Sequence, residues 1–287
     1  MTRVFFACTP SKQHVDLLHE CEVERMLYSY HFIKDVNKFM KLLEPRMPKC
    51  IILDSGAFSV WSNGGTVDID KYAAFAIELR DRLPEWVDYR VVNLDVLPGK
   101  FGERPTDEQR EESARQGWEN MIYLESKGLK VIHVFHQHED FSWLRKMMEH
   151  SDYIGISPAN DLSQAEKNRW LDKCFAITRD KIKTHGFAVT SAAQLYKYPF
   201  FSVDSSSWTA PARFGRIPIF REDLTIGSFS YREKDGVIKN WDYIKHIGIE
   251  TLGADSWVER TRLAIKTYQQ LEKVATKLWT SRGVIWE

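Results

Sequence analysis

The sequence predicts an α/β fold, a (β/α)8 TIM-like barrel with a hairpin inserted near its last strand. Three observations carry this expectation. Short β-branched or aromatic runs recur seven times along the 287 residues, most of them followed by a longer stretch with helical periodicity. That alternation is the signature of parallel strands joined by right-handed crossovers. The length suits one barrel, and no repeat, linker or low-complexity segment divides it, so residues 1–287 read as a single domain. A doubly wound open sheet is the alternative architecture.

The candidate strands are Val4–Cys8, Cys50–Leu53, Arg90–Asp95, Lys130–His136, Tyr153–Ser157, Lys183–Ala188 and Phe200–Asp204. Between them, Ile69, Tyr72, Ala76 and Leu79 recur at the spacing of one helix face. Thr106 with Gln109, Ser163 with Glu166, and Ser191 with Gln194 each match the reciprocal N-terminal cap of a helix. The eighth unit is less regular. Ile217–Phe220 and Ser228–Tyr231 read as a hairpin before Trp241, and a last helix starts at Ser256, capped with Glu259, carrying Ala264, Tyr268, Leu271, Ala275 and Leu278 on one face.

Composition bounds the function. With 43% hydrophobic and 28% charged residues, the chain is an ordinary globular one. Lys and Arg number 40 against 40 Asp and Glu, which argues against indiscriminate polyanion binding and leaves room for a local basic face. No run approaches the roughly 20 apolar residues that cross a bilayer, and the apolar start Val4–Cys8 is too short for a secretory signal. Cys8, Cys21, Cys50 and Cys174 lack paired spacing, so no cysteine zinc site is expected and a reducing, cytoplasmic setting is.

In a barrel, reactive groups stand where strands end. Asp54-Ser55-Gly56, Asp95, His136-Gln137-His138, Gly155-Ile156-Ser157, His185-Gly186-Phe187 and Asp204-Ser205-Ser206 occupy those ends. Aspartate is also a common turn former, so any one of the three has a bland reading. Three at equivalent positions predict a mouth lined with carboxylates.

The order of these segments resembles the tRNA-guanine transglycosylases over roughly residues 50 to 210. Asp54-Ser55-Gly56-Ala57-Phe58 is similar to that family's Asp-Ser-Gly-Gly-Phe, Val92-Asn93-Leu94-Asp95 falls at its guanine-reading aspartate, and Asp204 falls at its nucleophile, 18 positions after Gly186. Ala57 replaces the second glycine, Ser59 the following glutamine, and nothing supplies the family's cysteine–histidine zinc site. Without that module, the chain is most similar to the phage branch that inserts 7-deazaguanines into DNA, acting in the host cytoplasm.

The resemblance implies base exchange at guanine in DNA, with tRNA as the alternative polymer. Asp204 would attack the anomeric carbon to form a covalent sugar–aspartate intermediate, and Asp54 would hand a proton to the departing purine. Asp95 would accept N1–H and the exocyclic amine of guanine or of a free 7-deazaguanine, a donor pair that adenine lacks. Gln137 and the backbone at Gly155 would meet O6, Phe58 and His185 or Phe187 would sandwich the base, Ser55, Gly56 and Gly186 would belong to the same base-binding site, and Ser55 and Ser205 would orient the carboxylates or cap helices. No cofactor, metal or membrane is called for. Phosphates would be gripped by Arg213, Arg216 and Arg221, with Arg232, Lys234 and Lys239 nearby, and an opened strand would stack on Trp208, Phe214, Phe220 and Tyr231. A metal-dependent hydrolase built on His136 and His138 is the competing class.

Overall fold

Alternation along each strand sorts the side chains into two layers. In β1 (Arg3–Ala7), Val4 and Phe6 join the layer between sheet and helices, while Phe5 and Ala7 join an inner cluster with Leu27, Ile52, Val92, Ile132, Val134 and Tyr153. That inner cluster fills the barrel with branched and aromatic side chains rather than leaving a pore. The structure, a computed structural model, describes residues 2–33, 35–100, 103–159, 161–189, 191–221, 223–230, 232–233, 235, 239–246 and 256–286, the side chains of 211 and 212 aside.

The remaining barrel strands are β2 (Arg25–Ser29), β3 (Cys50–Asp54), β4 (Asp88–Val92), β5 (Val131–Ile132), β6 (Val134–His136), β7 (Tyr153–Ser157), β8 (Lys183–Gly186) and β9 (Ser202–Ser205). They pair in the order β5-β4-β3-β2-β1-β9-β8-β7-β6, every pair parallel. β5 and β6 are two pieces of one extended run, interrupted only at His133, so the two ends of this order meet and eight staves close a ring. The stave that periodicity missed is β2. Its three apolar residues are bracketed by Arg25 and Ser29, and Arg25 is held in place by Glu272, a partner 247 residues away.

The hairpin is present as β10 (Arg216–Phe220) antiparallel to β11 (Ile226–Ser230), with Tyr231 outside the described residues. It lies beyond the ring. Ile217 and Phe229 pack with Leu263 of the last helix, Trp257–Ser281, and the Tyr196 hydroxyl donates to the Leu224 carbonyl at the hairpin's tip. The last helix itself packs on β1 and against the helices Lys12–Glu20 and Ala192–Lys197, completing the outer layer.

Thr106 and Ser163 form both halves of the expected caps. Ser191 and Ser256 do not cap through their side chains. Gln194 donates instead to Asn168 at 3.2 Å, and Glu259 pairs with Arg262, so a stronger partner has taken each reaching side chain. Among the described residues, no helix is long and apolar enough to cross a membrane.

Candidate active site

Asp54 closes β3 opposite Ser29 of β2, Asp204 lies in β9 opposite Phe5 of β1, and Asp95 follows the end of β4. Parallel staves therefore deliver all three carboxylates to the same end of the barrel. Burial raises the Asp54 carboxyl to about 6, and the charges of Asp95 and then Asp204 push it the same way, against hydrogen bonds from Gly56 and Ser29. Asp54 is thus a carboxyl that exchanges its proton near neutrality, as a general acid or base must.

Several fixed groups hold these strand ends. The buried Tyr72 hydroxyl sits 2.7 Å from the Val92 carbonyl and 3.1 Å from that of Leu53, tying the ends of β3 and β4 together. From the helix Asp107–Ser126, Asn120 donates to the Leu94 carbonyl at 2.8 Å and Ser113 to that of Val96, clamping the segment that carries Asp95. Gly56 turns the chain after Asp54 at φ 75°, and its amide donates to Asp54 Oδ2 at 3.1 Å. A Cβ there would lie 2.7 Å from the His31 Cβ, so backbone conformation and space both require glycine. Ser55 is buried, with its hydroxyl turned to the Ala57 amide at 3.5 Å.

His136, expected only as a ligand of the competing metal-dependent class, stands instead beside a carboxylate. His136 Nε2 lies 3.2 Å from Asp95 Oδ2, both side chains largely buried. Burial lowers the affinity of this imidazole for a proton, but Asp95, by charge and hydrogen bond, and then Glu139 outweigh it and raise the group to about 9. His138 stacks on His136 with ring centroids 5.5 Å apart, and burial with that neighbouring cation takes it down to about 3. Glu139 accepts the His136 amide at 3.3 Å, and burial moves its carboxyl up to about 7. His133 points outward beneath Trp118, as strand alternation predicts. Among the described residues, no group of three or more His, Cys, Asp or Glu side chains gathers as a metal site.

Asp204 Oδ1 accepts the Ala188 amide at 2.9 Å and lies 3.4 Å from His185 Nε2. Ala188 presents that amide from φ 53°, an unusual conformation for a residue with a Cβ. His185 is fully buried between Phe5 and Phe187, so it cannot sandwich a base as expected. Phe187 lies above it, half-buried, and Phe58 is 50% exposed.

Gly155 also departs from expectation. Its amide already donates to the His133 carbonyl at 2.7 Å, and its missing side chain makes room for the Phe187 ring, which a Cβ would meet at 2.5 Å. Gly186 likewise clears space for Phe200 and Val189. Gln137 remains at its strand end with Oε1 accepting the Ala159 amide at 3.0 Å, which leaves its NH2 as the donor toward a ligand.

Trp208 is buried rather than presented to a strand: it packs edge-on against Phe6, and its indole donates to the Ala7 carbonyl at 3.0 Å. Phe220 is half-buried against the core, whereas Phe214 is 72% exposed. Arg213, Arg221, Arg232 and Lys239 are exposed, and Arg216 donates twice to Ser228 across the hairpin. Lys234 lies outside the described residues. Beside Asp95, a cleft of about 510 Å³ opens between Trp61, Val67 and Leu97 on one wall and Arg115, Glu119 and Asn120 on the other.

No protein-family model matches the chain, and no curated protein matches it. Among solved structures, it is similar to the tryptophan synthase alpha chain from Legionella pneumophila subsp. pneumophila, with a TM-score of 0.50 and 11% identity over 95% of this chain and 91% of that one. A structure described as native KDPGal gives a TM-score of 0.47 and 10% identity over 96% and 95% of the two chains. At 11% identity the first likeness is one of fold, and the fold is the (β/α)8 barrel that the sequence predicts.

Proposed function

We propose that the chain is an enzyme, a pentosyltransferase that exchanges guanine in DNA for a 7-deazaguanine base. The observation that supports this most is the gathering of three carboxylates at one end of the barrel, with Asp54 raised by burial. Asp54 is held near 6 by burial and its neighbours, suited to giving the departing purine a proton and taking one from the incoming base. Asp204, steadied at Oδ1 by the Ala188 amide, supplies the nucleophile. The C–N bond to guanine breaks as the Asp204–C1′ ester forms. The incoming base then displaces the ester and restores the carboxylate.

Asp95 reads the base. One of its oxygens faces His136, which leaves the other to accept N1–H or the exocyclic amine, and the Gln137 NH2 is the donor for O6. Phe58, exposed on the turn after Asp54, and Phe187 offer rings to an extruded base. A base stacked in a duplex is out of reach, so the target must be flipped or single-stranded. The exposed Arg213 and Arg221, with Phe214 between them in sequence, supply phosphate contact and a stacking surface.

Incubation with labelled guanine and either duplex DNA or bulk tRNA tests the reading. Label should enter DNA, with binding that weakens steeply as salt rises. Efficient labelling of tRNA alone would move the polymer assignment and leave the chemistry standing.

A further inference from the structure

A closed set of polar side chains runs beneath Asp204 into the barrel. His185, Ser202 and Tyr153 are all buried, with His185 Nδ1 2.6 Å from Ser202 Oγ and 3.3 Å from the Tyr153 hydroxyl, and the two hydroxyls 2.5 Å apart. Two O–H protons must find acceptors within this triangle, because a buried hydroxyl left without one is costly. Both are satisfied only if Nδ1 is an acceptor. Tyr153 then donates to Ser202 and Ser202 to Nδ1, or Ser202 donates to Tyr153 and Tyr153 to Nδ1. A proton on Nδ1 would leave one hydroxyl with nowhere to donate inside the triangle. The hydrogen-bond network thus assigns the ring proton to Nε2, the nitrogen 3.4 Å from Asp204 Oδ1.

We propose that His185, locked in the Nε2–H tautomer by Ser202 and Tyr153, is a positioning residue for the Asp204 carboxylate. The Ala188 amide hydrogen-bonds Oδ1 and the Nε2 edge of the imidazole lies 3.4 Å from the same oxygen, an electrostatic contact short of a hydrogen bond, so rotation of the carboxylate sacrifices both and Oδ2 is set as the attacking oxygen. The Phe5 and Phe187 rings wedge the imidazole from two sides and keep it aimed. The catalytic sense of this arrangement rests on the nucleophile role given to Asp204 above. The tautomer and the contact do not.

Two measurements on the 287-residue chain separate those claims. Long-range nitrogen-correlated NMR reports which ring nitrogen of His185 carries the proton. The wild type should show Nε2–H with Nδ1 as acceptor, and Asp204→Asn should shift the Nε2 resonance. The double variant Ser202→Ala, Tyr153→Phe should admit the Nδ1–H form, whereas Ser202→Thr, which keeps a hydroxyl, should restore the single tautomer. A wild-type Nδ1–H tautomer, or an Nε2 resonance indifferent to Asp204→Asn, would overturn the proposal.

In single-turnover exchange, the double variant should lose on the order of ten- to a hundredfold in the rate of guanine release, with the free-base KM unchanged, since the loss is one of alignment. Ser202→Thr should recover most of it. A double variant that melts early but releases guanine at the wild-type rate would overturn the positioning role. The expected NMR result in a protein that exchanges no base would uphold the held carboxylate and refute the transglycosylase reading instead.

Discussion

Replacing Asp95 by Asn removes the charge that keeps His136 protonated while preserving the shape of the side chain. In the folded protein the His136 imidazole stands at about 9 against 6.5 for an ordinary histidine, raised by Asp95 and Glu139 in spite of burial. A histidine raised in this way contributes stability that is fully present below pH 6.5 and lost as the pH rises through 9. The gap corresponds to about 3 kcal/mol at 1.36 kcal/mol per pH unit. Exposures of 15% and 16% for the two side chains leave little solvent to screen the pair. Urea denaturation should therefore find Asp95→Asn less stable than wild type by about 3 kcal/mol at pH 6.5, with the difference shrinking towards pH 10. In parallel, the NMR titration of the histidine ring protons should show one group with a midpoint near 9 in the wild type and none above 7.5 in the variant. A stability difference that stays constant between pH 6.5 and 10, or no histidine titrating above pH 8, would refute the pairing and with it the cation placed beside Asp95.

Asp54→Asn should separate stability from activity. The carboxyl is raised to about 6 mainly by burial, so it favours the fold below its ordinary 3.8 and progressively less as the pH climbs through 6. Neutralising it should stabilise the protein at pH 7.5 by about 1–3 kcal/mol, read by denaturation, while guanine release falls by orders of magnitude. In the wild type, the single-turnover rate of guanine release should decline with a midpoint near pH 6 as the acid form is lost, and Asp54→Asn should abolish that limb. Gly56→Ala forces a Cβ into φ 75° and against His31 and Ser29, and should lower stability by more than about 1 kcal/mol in a thermal melt. Charge reversal at Arg213 and Arg221 together should weaken DNA binding in a salt-dependent way and leave free-base affinity unchanged in calorimetry.

Strand ends were legible wherever an apolar run stopped at a polar residue, which is why Asp54, Asp95 and Asp204 were found by position alone. β2 was not legible, because Arg25 finds its partner Glu272 in the last helix and a sequence window sees only a charge that breaks the run. Geometry also reassigned residues whose chemistry was noticed. His136 became the partner of Asp95, since alternation fixes the face but not which stave lies alongside. His185 and Trp208 went inward, for the inner layer of a narrow barrel and the gap behind β1 both take large rings. Gly155 carried a signal that was read backwards: the glycine serves the Phe187 ring, not a ligand's oxygen. Tyr72 and Asn120, which hold the loops in place, look like ordinary helix residues until the carbonyls they meet are known.

The account stands or falls on the covalent link between Asp204 and a sugar. Protein mixed with a guanine-containing DNA oligonucleotide and quenched in denaturant without an incoming base should carry one oligonucleotide, less guanine, esterified at Asp204 and located by peptide mass spectrometry. Addition of a 7-deazaguanine before the quench should discharge the adduct into modified DNA, and Asp204→Asn should form none while keeping its fold by circular dichroism. An adduct on another residue, or undiminished exchange by Asp204→Asn, would contradict it.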